Sequence, residues 1–259
     1  MLVSMGVSRV VLFSIVAFSA VVVAREAYAV YTAVSLGREA IAHASAYERI
    51  DADAMYTLLL LGDSTGVGVG ASSPEHSIAG RIAHDVPMLS IENRSESGKR
   101  IAELTQELSM LEPDAPYDLL FLMIGGNDIL RFTTRKAFRA SLREAFAQAA
   151  RHADSVVLLS AGNVGHAPAW APFLSRVFEI RSRRMREILL EEVARAEVIF
   201  VDVFVAEREQ DPFALDPARY HAPDGLHPSS EGYALWYERW KQRWRAEDHW
   251  LGAWYREML

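Results

Sequence analysis

Thr57-Leu58-Leu59-Leu60-Leu61-Gly62-Asp63-Ser64 is the stretch that decides how this chain folds. Thr57 to Leu61 is a short apolar run without alternation, the pattern of a strand buried on both faces. Residues 88–91, 119–124, 155–160 and 198–203 read as four further strands. Between them lie helical patterns. Ile78, Ile82 and Val86 share one side of a helix around 75–85, and Ile101, Leu104, Leu108 and Leu111 share one side of another over 99–111. Residues 135–152 (rich in alanine), 172–196 (rich in arginine) and 229–245 read as three more. Alternating strands and helices predict βαβ units and a mostly parallel five-stranded sheet covered on both faces. Its ligand crevice belongs at the C-terminal ends of the strands.

Three polar blocks fall at that edge. Gly62-Asp63-Ser64 follows the first strand. A serine at a strand-to-helix turn exposes its hydroxyl beside backbone N–H groups that would stabilise an anion. Taken alone, Asp and Ser there more often just cap a helix. Gly125-Gly126-Asn127-Asp128 follows the third strand. Its glycines allow a sharp turn and Asn127 offers an amide donor suited to an oxyanion hole, although all four are also ordinary turn residues. Asp224-Gly225-Leu226-His227-Pro228-Ser229 precedes the last helix. An imidazole needs an acceptor on its second nitrogen, and an Asp three positions earlier on a tight turn can supply it. Each block has a plain structural reading. The three together are a nucleophile, a donor and a base with its orienting carboxylate, which are the parts of acyl transfer.

The blocks Gly62-Asp63-Ser64, Gly98, Gly126-Asn127-Asp128 and Asp224 to His227, in that order, resemble the SGNH hydrolases, also called GDSL esterases. The resemblance covers most of the chain after its N-terminal stretch. It implies a flavodoxin-like three-layer α/β/α sandwich with no metal or organic cofactor. It also implies Ser64 as nucleophile, His227 as general base and Asp224 as the partner of His227. The oxyanion donors would be the backbone N–H groups of Ser64 and Gly98 and the side chain of Asn127. Two departures stand out: Thr65 replaces the Leu of the naming motif, and Arg94 and Glu96 bring charge into a loop that is usually small and polar. The family acts on lipids, simple esters, thioesters and acetylated sugars.

The chain has 259 residues, 51% hydrophobic and 24% charged, enough for one large domain with a full core. A formal net charge of −7 argues against nucleic acid as a partner. The absence of cysteine excludes disulfides, thiolate metal sites and a cysteine nucleophile. Arg9 precedes an apolar run from Val10 to Ala24 that Arg25 and Glu26 close. That run is short for a bilayer span and suits a signal peptide, with Ala27-Tyr28-Ala29 as a cleavage pattern; an uncleaved membrane anchor is the alternative. The expected organisation is a signal peptide or anchor over 1–29, a linker or peripheral helix over 30–54, the catalytic domain over 55–245 and an aromatic tail over 246–259. The protein is expected to be exported or membrane-anchored, on the periplasmic or extracellular side.

Other features weigh less. Gly66-Val67-Gly68-Val69-Gly70-Ala71, with Glu92, matches a dinucleotide fingerprint, but Gly62 to Thr65 separates it from the strand it should follow. His221, Asp224 and His227 have a spacing seen in metal sites, yet Pro223 and Gly225 break any helix that would align them. His166 lies in the loop after the fourth strand and reads as a plain loop histidine, with pocket lining as the alternative. Arg176, Arg181, Arg183, Arg184 and Arg186 read as a solvated face balanced by glutamates, rather than a headgroup site. The stripe Trp236, Trp240 and Trp244 reads as packing on the domain, with a membrane interface as the alternative. The expected function is a serine esterase for a small-molecule ester or lipid. The alternatives are an acyltransferase using the same acyl-enzyme and a non-catalytic lipid- or carbohydrate-binding domain.

Overall fold

The apolar run becomes β1 (Tyr56–Gly62) in a computed structural model that describes residues 2–112 and 117–258, residues 2–11 by backbone alone. It pairs with β2 (Leu89–Asn93) and β3 (Tyr117–Ile124), and β4 (Ala153–Ser160) and β5 (Val198–Val201) follow. The order is β2-β1-β3-β4-β5, and every neighbouring pair is parallel. This is the doubly wound order expected, with its switch point between β1 and β3.

The helices are α1 (Leu2–His43), α2 (Ser64–Val67), α3 (Ile78–Asp85), α4 (Ile101–Leu108), α5 (Gly126–Leu130), α6 (Arg135–Ala149), α7 (Pro172–Val193), α8 (Pro212–Leu215), α9 (Pro217–Tyr220), α10 (Ser230–Arg245) and α11 (Trp250–Glu257). Successive side chains of β1 bury into different cores, as strand geometry requires. Leu58 and Leu60 pack with Ile82 of α3, Tyr233 and Trp240 of α10 and Leu251 of α11. Leu59 and Leu61 pack with Leu104 of α4, Leu142 of α6 and Ile188 of α7. The result is three layers, helices over sheet over helices.

The tryptophan stripe belongs to the first of these cores. Trp240 and Trp244 are fully buried, with Trp240 tilted over Phe121 at 4.5 Å and donating to the Tyr255 hydroxyl at 3.1 Å. The stretch after residue 245, read from sequence as a tail, folds back as α11. Leu251 and Tyr255 enter the same core, and Trp250 stacks on Tyr56 at 3.6 Å. Trp250, Leu251, Trp254 and Tyr255 share one face, but the segment is only 8 residues long, so tertiary packing rather than pattern length reveals the helix.

At the N-terminus one helix spans the expected leader and the start of the segment after it. α1 runs unbroken through residue 29, because Arg25 and Glu26 interrupt the apolar pattern but are good helix formers. Beyond it, Arg49 pins the connection to β1 by donating to the carbonyls of Ala83, Val86 and Leu89. The arginines of α7 are largely paired: Arg183 with Glu179 and Arg186 with Asp202, while Arg181 donates to the carbonyls of Asp128, Ile129 and Thr133.

Trp240→Ala should destabilise the domain by about 3–5 kcal/mol in urea unfolding, because it empties a fully buried site shared by β3, α10 and α11. A loss under about 1 kcal/mol would mean that this layer lies outside the cooperative core.

Candidate active site

Ser64 stands at the first position of α2, directly past the end of β1. Asp63 caps that helix: its Oδ1 accepts from the Thr65 backbone N–H at 2.9 Å and from the Thr65 hydroxyl at 2.8 Å. Gly62 lets the chain pass close to β3, where an added Cβ would lie 2.7 Å from the Met123 carbonyl oxygen. The serine hydroxyl is thereby held at the sheet edge, 8% exposed.

His227 approaches it from the far end of the chain. Its Nε2 lies 2.8 Å from Ser64 Oγ, and its Nδ1 lies 2.5 Å from Asp224 Oδ2. Asp224 is an acceptor, so Nδ1 carries the proton and Nε2 is left to accept from the serine hydroxyl. The other Asp224 oxygen accepts from the backbone N–H groups of Leu226 and His227 at 2.9 and 3.0 Å. Burial alone would raise the Asp224 pKa. The hydrogen bond and charge of His227 and the two backbone donors outweigh it and hold the carboxyl below its usual value. The loop is closed at its base by Ala222 N–H donating to the His227 carbonyl and Ser229 N–H donating to that of Tyr220, both at 2.9 Å.

Asn127 sits in the first turn of α5, after β3. Its amide points back to Asp63, with Nδ2 3.5 Å from Oδ2. Gly98 adopts φ +89, the left-handed region that glycine occupies without strain. Three residues on, the start of α4 is fixed by Asp128, whose Oδ2 accepts from the Ile101 N–H at 3.0 Å. Ser64, Gly98, Asn127 and His227 all line one cavity of about 570 Å³, and Asp224 stands behind His227. The arrangement supplies a hydroxyl, an imidazole able to take its proton, and amide donors facing the same space. Among the described residues, no group of three or more His, Asp or Glu side chains is placed to hold a metal ion.

Sequence reasoning missed three positioning groups. The capping role of Asp63 was legible, but its reach to Asn127 was not, and Asp128 carries no visible assignment beyond turn formation; each ties two blocks together. Burial raises both pKa values despite the donors that each accepts from. The third is His166, which is buried and not a plain loop residue. Its Nδ1 donates to Asp211 Oδ2 at 2.6 Å, and its Nε2 accepts from Asn163 at 3.0 Å. Asn163 and Asp211 line the cavity, so His166 braces its wall from behind. The only sequence signal for these roles is polar residues within apolar surroundings, which names no partner.

The GDSL-like Lipase/Acylhydrolase family matches residues 60–235 of the chain. No curated protein sequence matches it. Among solved structures it is similar to TesA, at TM-score 0.53 and 22% identity over 72% of this chain and 97% of that one. It is also similar to Axe2, an acetylxylan esterase from Geobacillus stearothermophilus, at TM-score 0.52 and 18% identity over 73% and 94%. A third is LAE5, an alpha/beta hydrolase enzyme from the metagenome of Lake Arreo, Spain, at TM-score 0.51 and 20% identity over 73% and 95%. At these identities the likeness to the solved structures establishes the fold.

His221 lines the same cavity, edge-on to Phe213 at 5.1 Å. Burial lowers its pKa to about 4, although Asp211 and Asp224 face it and favour its charge. The folded protein therefore keeps it neutral where the unfolded chain, with an ordinary histidine value, is already protonated. Its contribution is complete above about pH 6.5 and is lost as pH falls toward about 4. Asp224, held below the usual carboxylate value, adds its own loss only at more acid pH. The melting temperature of the wild type should thus fall more steeply than that of His221→Gln between about pH 7 and about pH 5. Parallel profiles would refute the neutral, buried state of His221.

Proposed function

The chain belongs to the GDSL-like lipase/acylhydrolase family, and from that premise we propose that it is a serine esterase working through an acyl-enzyme on Ser64. The observation that carries the reading is the continuous relay from Asp224 through His227 to Ser64, 2.5 and 2.8 Å long, in a cavity that also presents Asn127 and Gly98.

The relay performs ester cleavage in two halves. In the first, Ser64 Oγ attacks the ester carbonyl carbon while its proton passes to His227 Nε2. Asp224 stabilises the imidazolium through Nδ1–H and fixes the ring. The carbonyl oxygen becomes an oxyanion, met by the N–H groups of Ser64 and Gly98 and by the Asn127 amide. Such a donor contributes on the order of 3 kcal/mol to the transition state. When the intermediate collapses, the alcohol leaves with the proton of His227 Nε2 and the acyl group stays on Ser64. In the second half a water gives its proton to His227 and attacks the acyl carbonyl. Ser64 leaves with that proton and the carboxylic acid is released.

Asp63 and Asp128 act through others. Asp63 caps the helix that presents Ser64 and holds the Asn127 amide, so the nucleophile and one oxyanion donor share a support. Asp128 joins α5 to the start of α4, near Gly98. We take the long apolar α1, of mean hydropathy 1.6 over its candidate span, to direct export or anchoring, with the catalytic domain on the periplasmic or extracellular side.

A fluorophosphonate probe should label the wild-type protein at Ser64 and leave Ser64→Ala unlabelled. On p-nitrophenyl esters, Ser64→Ala should lose turnover while keeping its melting temperature. Asn127→Ala should lower kcat by roughly 10²-fold or more with a smaller change in KM. Undiminished hydrolysis by Ser64→Ala, or a wild type that the probe does not label, would remove the esterase reading in favour of a binding domain.

A further inference from the structure

The two halves of α1 meet different surroundings. Along its first half, Leu12, Phe13, Val16, Phe18 and Val21 are exposed, and no part of the candidate span window is buried against the protein. The backbone from Leu2 to Ala24 is about 34 Å long at the α-helical rise, which exceeds a bilayer's apolar thickness of about 30 Å. Tyr28 and Tyr31 follow, both exposed, where aromatic residues favour the membrane–water interface.

The second half is docked on the catalytic domain. Ala33 and Gly37 are buried, and a Cβ on Gly37 would stand 3.7 Å from Asp224 Oδ2. Glu26, at the junction, accepts from the Phe173 and Leu174 N–H groups at 3.0 and 3.2 Å. These belong to the first turn of α7, where N–H groups lack helical partners and the helix dipole favours an anion. The charge that interrupts the apolar run is thus the residue that fastens α1 to the domain.

An apolar groove of about 1100 Å³ runs along this docked edge, from Phe18 and Val22 to Val34 and Leu174. Val30, Val34 and Leu174 also line the cavity that holds Ser64, so groove and cavity share walls. Phe18 and Val34 lie about 24 Å apart along the helix axis. A mostly apolar path, with Arg38 on the wall that groove and cavity share, therefore joins the exposed apolar stretch of α1 to Ser64.

We propose that α1 is retained as a membrane anchor and that, with the start of α7, it forms a groove guiding the long apolar chain of a bilayer-resident lipid ester to Ser64. The proposal rests on the esterase reading of that site and names its substrate class. The chain would slide from one apolar surrounding to another without crossing water, while tethering to the bilayer keeps the local substrate concentration high. Cleavage after Ala29 would remove Glu26 and the groove's outer wall, so the groove requires the uncleaved helix.

The test uses the full chain in phosphatidylcholine vesicles. Its intact mass should include α1. Full-length Ser64→Ala protein, irradiated with a lysophosphatidylcholine carrying a diazirine on its acyl chain, should be labelled at Val30 to Val34 and at Phe173 and Leu174. Val34→Trp, a change at an exposed position that fills the groove, should lose most of this labelling. In Val34→Trp protein with Ser64 intact, the ratio of kcat/KM for p-nitrophenyl palmitate in the vesicles to that for p-nitrophenyl acetate should fall about tenfold. A mature chain beginning at Val30, labels confined to the span before Arg25, or an unchanged ratio would each overturn the proposal. Photolabelling needs no catalysis, so groove labels on a protein whose Ser64 ignores the fluorophosphonate probe would sink the esterase reading alone.

Discussion

Asp224 is a carboxylate almost out of water, and the site is organised around keeping it charged. A buried carboxylate is costly unless donors surround it. Three do: the backbone N–H groups of Leu226 and His227 and the ring Nδ1–H of His227. The first two fold the loop into a tight turn about its own aspartate. The third commits the proton of the imidazole to one nitrogen and turns the other toward Ser64. The loop's conformation, the ring's tautomer and the direction of Nε2 thus follow from one group's demand for hydrogen bonds.

The same economy appears on the opposite side of the cavity. Asp63 and Asp128 are both buried, and each bridges segments that sequence keeps apart, Asp128 through one of its two oxygens. Asp63 binds the turn after β1 and reaches Asn127 beyond β3, while Asp128 reaches from α5 to the first amide of α4. The positions of Ser64, Gly98 and Asn127 are therefore set relative to one another, as the proposed oxyanion hole would demand of its donors. His166 does comparable work farther out, tying the loop after β4 to Asp211.

What the sequence reveals and what it hides divide along the range of the interactions. β1 was readable because a short run of four leucines closed by Gly62 fits a strand buried on both faces, and that burial exiles polar residues to the strand's end. Ser64, Asn127, Asp224 and His227 were readable for the same reason, each standing in a short polar block after or between apolar elements. The role of Asp128 was hidden because its partner is the backbone of Ile101, and any residue there offers the same N–H. The helix at 250–257 was hidden because, although Leu251 and Tyr255 share a face, eight residues make the pattern too short to separate from a tail. The contact that α1 makes through Glu26 was hidden for a related reason. Charge after an apolar run marks the end of a leader, but it also marks a docking contact, and the amides that donate to Glu26 lie beyond β4 in the chain.

That contact changes what the N-terminal stretch can be. A leader that only targets has no reason to place a carboxylate on the first turn of α7, or to bring Gly37 against Asp224. α1 lies alongside the His227 loop and shares walls with the cavity, so its exposed apolar half and the nucleophile are parts of one continuous surface. In a protein free in water such a surface would be a liability. With α1 in a bilayer, as proposed, that surface would open the site toward the place where long apolar chains already are.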